Sequence, residues 1–137
     1  MTPKRVLVCG QRDYLNYEKV YNYLATFPPG TIVIHGNAPG ADTFADQAAK
    51  DLNFEVLVFP AQWAKYGQAA GPVRNRQMLV EGHPDVVAAF YAKGGRRYSK
   101  GTNNMVTQAE KALIPVEIHE DEYLPKSVSY PHAKKGL

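Results

Sequence analysis

Three turns and one helix start of this chain carry residues whose types suit anion chemistry. The first turn, Gly10-Gln11-Arg12-Asp13-Tyr14, pairs a glycine that permits close backbone approach with an arginine. The planar fork of Arg12 matches phosphate or carboxylate oxygens, while pairing with Asp13 or simple solvation fits it equally well. The second turn, Gly36-Asn37-Ala38-Pro39-Gly40-Ala41-Asp42, lies between an apolar run and an alanine-rich segment. A strand-to-helix junction of this kind is a ready anion site, because the first helical N–H groups lack internal partners and the dipole favours negative charge. Asp42 has two readings there: favourable acid in a first helical turn, or hydrogen-bond acceptor for a ribose hydroxyl or a neighbouring loop.

The third turn runs from Lys93 to Asn103 and places Lys93, Arg96, Arg97 and Lys100 within eight residues, next to Gly101, Thr102 and Asn103. Such a cluster suits a phosphate or polyphosphate, or is a solvated basic loop. The helix start is Ala70-Gly71-Pro72-Val73-Arg74-Asn75-Arg76-Gln77-Met78. A cation near a helix N-terminus opposes the dipole, so Arg74 needs a bound anion or a buried acid such as Asp42 to explain it. Arg74 and Met78 share a face, being four apart. Trp63 is either a stacking plate for a base or a packing anchor.

Other chemistries find little support. The second turn has neither dinucleotide-fingerprint spacing nor the Lys-Ser/Thr of a Walker loop. His35, His83, His119 and His132 are scattered and Cys9 is the sole cysteine, so no metal site is expected. No cofactor is expected either. Cys9 sits inside an apolar run, where an inert thiol is the expected state.

Periodicity supplies the elements that must position these groups. Strands are predicted over Arg5–Cys9, Thr31–His35, Glu55–Phe59, Asp85–Phe90 and Pro115–His119. Helices are predicted from Asn16 as cap through Leu24, from Ala41 to Leu52, from Gly71-Pro72 to about Gly82, and over Asn103–Leu113. Pro60–Ala70 and Tyr91–Thr102 read as loops. The alternation implies an α/β fold: a doubly wound parallel sheet of about five strands, order 3-2-1-4-5, with helices on both faces. Strands one and four then mark the switch point, and the glycine-bearing turns converge at one edge of the sheet.

The chain has 137 residues, 45% hydrophobic and 21% charged, as expected for one globular domain. The domain is expected to span residues 1–123, with 124–137 a flexible basic tail. Residues 1–123 carry 13 Lys/Arg and 13 Asp/Glu, so the net charge of +3 lies in that tail, in Lys126, Lys134 and Lys135. A neutral body argues against nucleic acid as a partner. No signal-peptide pattern and no apolar stretch of membrane-spanning length appear, so no membrane contact and a cytoplasmic location are the expectations.

Taken in order, Cys9-Gly10-Gln11-Arg12-Asp13-Tyr14, His35 through Asp42, Phe59-Pro60-Ala61-Gln62-Trp63, Ala70 through Met78, and Gly101-Thr102 resemble the YspA-like family of the SLOG superfamily. The resemblance spans roughly residues 4–118 and implies a Rossmann-like fold that binds a nucleotide or nucleotide-derived ligand, as a sensor or sequestering module of bacterial or phage signalling or conflict. The ligand-binding residues expected from the turns and the resemblance together are Gly10, Gln11, Arg12, Gly36, Asn37, Gly40, Ala41, Asp42, Trp63, Arg74, Asn75, Arg97, Gly101, Thr102 and Asn103. The related lonely-guy phosphoribohydrolases cleave the N-glycosidic bond of nucleoside monophosphates. Arg74 and Met78 match their Arg-Lys-x-x-Met, and Gly101-Thr102 matches part of a later motif. Met105 stands where those enzymes keep a catalytic glutamate, so a hydrolase reading needs Arg74 as clamp and Asp42 or Asp13 as acid/base. DNA binding of the DprA type is a further alternative, and pairing into homo-oligomers is also implied.

Overall fold

Strand β1 (Arg5–Gly10) sends Val6 and Val8 to one side and Leu7 and Cys9 to the other, and all four are buried. A strand buried on both faces needs a helical layer on each side, which is the condition of a parallel α/β sheet. The computed structural model describes residues 4–122 and shows that arrangement. Strands β1, β2 (Ile32–His35), β3 (Glu55–Val58), β4 (Val86–Tyr91) and β5 (Val116–Glu120) form one all-parallel sheet in the order β3-β2-β1-β4-β5. The edge strands β3 and β5 are the more exposed ones, while β1 and β4 pair at the centre.

Helices α1 (Tyr17–Leu24) and α2 (Ala41–Asp51) cover one face, closing Val20, Leu24, Ala45 and Ala48 over Val6, Val8, Val33 and Phe90. Helices α4 (Ala70–Gly82) and α5 (Lys100–Lys111) cover the other, packing Met78, Met105, Val106 and Ala109 on Leu7, Ile34, Ala89 and Tyr91. Each fully buried Leu or Val contributes about 1.5–3 kcal/mol. The two small layers of alanine let α2 lie close to the sheet, which draws the turn before it onto β1.

Asn16 caps α1 as expected, accepting from the Lys19 N–H at 3.1 Å, and Asn53 takes φ +60° just after α2. Two expectations are corrected. The stretch Pro60–Ala70 is not a plain loop: it holds the short helix α3 (Trp63–Tyr66) and a 3-10 turn at Gly67–Ala69, so α4 starts at Ala70. Helix α5 begins at Lys100 rather than Asn103, and the 3-10 turn Gly95–Tyr98 precedes it. Gly101 and Thr102 are weak helix formers, which hid the true start. A tertiary contact overrules propensity there: Asn75 Nδ2 donates to Gly101 O at 3.1 Å, and the helix opens with the Asn103 N–H donating to Ser99 O at 2.9 Å. The flexible tail expected over 124–137 falls outside the described residues. Among the described residues no helix is long and apolar enough to cross a membrane.

Candidate functional site

The C-terminal ends of β1, β2 and β4 open onto one edge of the sheet, and Gln11 ties their three turns together. Its backbone carbonyl accepts from the Ala41 N–H (3.3 Å), and its Oε1 accepts from the Ala92 N–H (2.8 Å). Its Nε2 donates to Asp13 Oδ1 at 2.9 Å. Gly10, Gly40 and Gly95 make the approach possible. A Cβ on Gly10 would meet Phe90 O and the Ala41 methyl, one on Gly40 would strike the Gln11 and Arg12 carbonyls, and one on Gly95 would overlap the Gln11 amide.

Beside this junction lies an open cleft of about 280 Å³, lined by Arg12, Gly36, Asn37, Ala38, Pro39, Pro60, Ala61, Trp63 and Arg74. Among the described residues two guanidinium groups line it and no acid does. Arg12 is exposed and forms no ion pair among the described residues. Arg74, the fifth residue of α4, reaches across Gly36, whose missing side chain is the space the guanidinium occupies. Its Nη1 donates to Gly36 O and, at 3.5 Å, to Phe59 O, while Nε donates to Asn75 Oδ1 at 3.1 Å. Nη2 makes no hydrogen bond among the described residues. Burial lowers the Arg74 pKa from its ordinary value, and neighbouring Asp42 opposes that shift. An arginine stays charged under such shifts.

Three amides of the second turn are engaged within it: Asp42 Oδ2 accepts from the Gly36 N–H (3.0 Å) and the Ala38 N–H (3.1 Å), and His35 Nδ1 accepts from the Asn37 N–H (3.0 Å). Of the first helical N–H groups, that of Ala41 donates to Gln11 O. Asp42 is buried, and desolvation raises its pKa above the ordinary carboxylate value despite those amides, His35 and Arg74. Its position makes it the internal brace of the turn and the buried acid near Arg74. Asn37 holds φ +59° and Gly40 φ +78°, which set the path of the turn.

The sequence reading did not single out the support beneath. Because Nδ1 of His35 is an acceptor, its Nε2 faces Asp46 Oδ1 at 2.9 Å as donor, and Asp46 also pairs with Lys50 at 2.7 Å. Hydrogen bonding from Lys50, more than from His35, holds Asp46 below its usual range. The signal was present in the spacing, since Asp42, Asp46 and Lys50 fall four apart on one helix face and His35 ends the preceding strand.

Of the residues singled out from sequence, Arg12, Gly36, Asn37, Trp63 and Arg74 meet at the cleft. Gly10, Gln11, Gly40, Ala41 and Asp42 form the frame behind it. Asn75, Gly101, Thr102 and Asn103 lie at the neighbouring α4–α5 contact. There Asn75 Nδ2 also donates to Asn104 Oδ1 (3.1 Å), and Asn103 accepts from Tyr91 Oη (2.6 Å). Burial pushes the Tyr91 hydroxyl up to about 12, so it serves as a donor at neutral pH. Arg97 stands apart on the exposed 3-10 turn. Met105 is wholly buried in the core and offers nothing to the cleft. Cys9 is buried with its thiol 3.8 Å from Ala88 O, and burial, reinforced by Asp42, pushes its pKa up. Among the described residues no group of three His, Cys, Asp or Glu is placed to hold a metal.

Comparison with known proteins adds to this geometry. No solved structure matches the chain. The Gene 61 protein of Mycobacterium phage D29 is 37% identical over 122 residues, covering 82% of this chain and 94% of that protein. Residues 4–66, which hold the first two turns and Trp63, match the YspA, cpYpsA-related SLOG family, a membership that suggests a nucleotide-related function. A five-stranded 3-2-1-4-5 sheet with its conspicuous side chains at the switch-point edge agrees with that match, and the chain belongs to the YspA, cpYpsA-related SLOG family.

Proposed function

We propose that the cleft binds a nucleotide or nucleotide-derived ligand, with its phosphate on Arg12 and Arg74 and its base against Trp63. One observation carries the reading: among the described residues two guanidinium groups, and no carboxylate, line the cleft. Arg74 has its Nη1 and Nε held by Gly36 O, Phe59 O and Asn75, which leaves Nη2 for an incoming oxygen. A charge-assisted contact from a guanidinium fixed in this way loses little side-chain entropy on binding. Trp63 is 57% exposed at the rim, where an indole face gains more from a stacked base than from packing. The first turn of α5, with Gly101 and Thr102 and no acid, lies next to Asn75 and extends the positive surroundings.

Binding without bond cleavage is the reading that the side chains favour. Acid/base work on an N-glycosidic bond needs a carboxyl group at the substrate. Asp42 is engaged by two amides behind the turn, and Met105 is in the core. A sensor or sequestering module fits this composition. Incubation of the protein with nucleoside monophosphates and NAD, followed by chromatography, tests the distinction. The expected result is recovery of intact ligand bound to protein. Free base released at a rate abolished by Arg74→Ala would instead support a hydrolase.

A further inference from the structure

The basic 3-10 turn after β4 is unused by the cleft as described, yet it is held firmly. The Gly95 N–H donates to Ala92 O (2.9 Å), the Gly94 N–H to Glu120 Oε2 (3.0 Å), and Ser99 Oγ to Gly95 O (3.0 Å). Asn103 Nδ2 donates to Arg96 O at 2.6 Å. A backbone this well anchored presents side chains that have no ion pair among the described residues: Lys93, Arg96, Arg97 and Lys100. Tyr98 is 78% exposed, with the Arg97 guanidinium 6.0 Å from its ring centroid. The turn also rests on Gln11, through Ala92 and Gly95, and Gln11 adjoins the cleft residue Arg12.

We infer that the ligand carries two nucleosides joined through phosphate, one base on Trp63 and the other on Tyr98, with the arginines between them holding the linkage. This inference rests on the nucleotide reading of the cleft. Trp63 follows β3 and Tyr98 follows β4, and both lie beyond the C-terminal ends of strands in one parallel sheet. Those strands are three intervals apart, about 14 Å at the usual spacing, so the two aromatics follow parent strands set further apart than a single base with its phosphate reaches. A ligand with two bases suits that placement. Arg74 and Arg12 at the cleft and Arg96 and Arg97 on the turn supply positive charge along the way. Exposed aromatics interleaved with arginines are the combination that stacks successive bases of a single strand.

Trp63 is the sole tryptophan, so its fluorescence reports occupancy directly. AMP and GMP are titrated against the linear dinucleotides pApA and pGpG, using wild type, Tyr98→Ala and Arg97→Ala. At least one dinucleotide is expected to bind about tenfold or more tightly than its mononucleotide. Each substitution on the turn should remove that advantage while leaving the mononucleotide affinity unchanged. Equal affinity of wild type for both ligand lengths, or an advantage that survives both substitutions, would overturn the two-nucleoside inference and leave the cleft reading standing. Absence of binding by all four ligands would overturn both.

Discussion

Gly36 and Arg74 occupy one volume: the guanidinium lies where a side chain at residue 36 would be. The same arginine donates to the Gly36 carbonyl, so a turn after β2 and a helix after β3 are joined at the cleft wall. Gly36 has an ordinary negative φ, and the group it would meet is the end of a flexible side chain. Gly36→Ala is therefore predicted to fold normally while displacing Arg74. Thermal unfolding should stay within a few degrees of wild type, and nucleotide affinity should fall about tenfold or more, as hydrogen bonds to charged groups are worth about 1.5–3 kcal/mol. Unchanged affinity would show that the position of Arg74 is irrelevant to binding.

Arg74→Lys tests geometry against charge. Lysine keeps the charge and loses the fork that contacts Gly36 O and Asn75 together. Its affinity should resemble that of Arg74→Ala rather than wild type in a calorimetric titration. Arg12 is held by no ion pair among the described residues, so Arg12→Lys should be the milder change of the two.

Gly40→Ala should act on stability. Residue 40 has φ +78°, and a Cβ there strikes backbone carbonyls of Gln11 and Arg12. Strain of this kind costs about 1–3 kcal/mol, more if the turn cannot shift. Urea unfolding should show the midpoint falling with no change in slope. A neutral outcome would mean that the contact between the first two turns is loose.

Asp42 sets a pH dependence. Burial raises its folded pKa, so the native state keeps its proton to higher pH than the unfolded chain does. The unfolded carboxyl ionises first as pH rises from about 4, and the Asp42 contribution to stability falls until the folded group ionises as well. Asn at this position keeps an acceptor oxygen for the Gly36 and Ala38 amides without the buried charge. The stability of Asp42→Asn relative to wild type should therefore improve with rising pH across that window. Chemical denaturation at several pH values checks this, and a pH-independent difference would contradict it.

Much of this arrangement was legible beforehand, for physical reasons that differ by residue. Val6, Val8, Leu7 and Cys9 announce a central strand because both faces of β1 are buried, and the 3.6-residue stripes of α1 and α2 show which faces meet the sheet. Arg74 stood out because its charge opposes a helix dipole, and the structure answers with Gly36 O and Asp42. The direction of the Gly36, Asn37 and Ala38 amides was not legible. Whether an amide faces a ligand or an internal carboxylate depends on how Asp42 and His35 fold back, which residue type alone does not encode. The start of α5 was hidden for a similar reason, since Asn75 supplies its anchor from another helix.

Nucleotide binding in the Arg12–Arg74 cleft is the property on which the affinity predictions depend. Titration of Trp63 fluorescence with nucleoside monophosphates measures this at the rim of the cleft itself. A saturable change is predicted for at least one base, weakened about tenfold or more in Arg74→Ala and in Gly36→Ala. No saturable change with any base, or one that is identical in both variants, would contradict it.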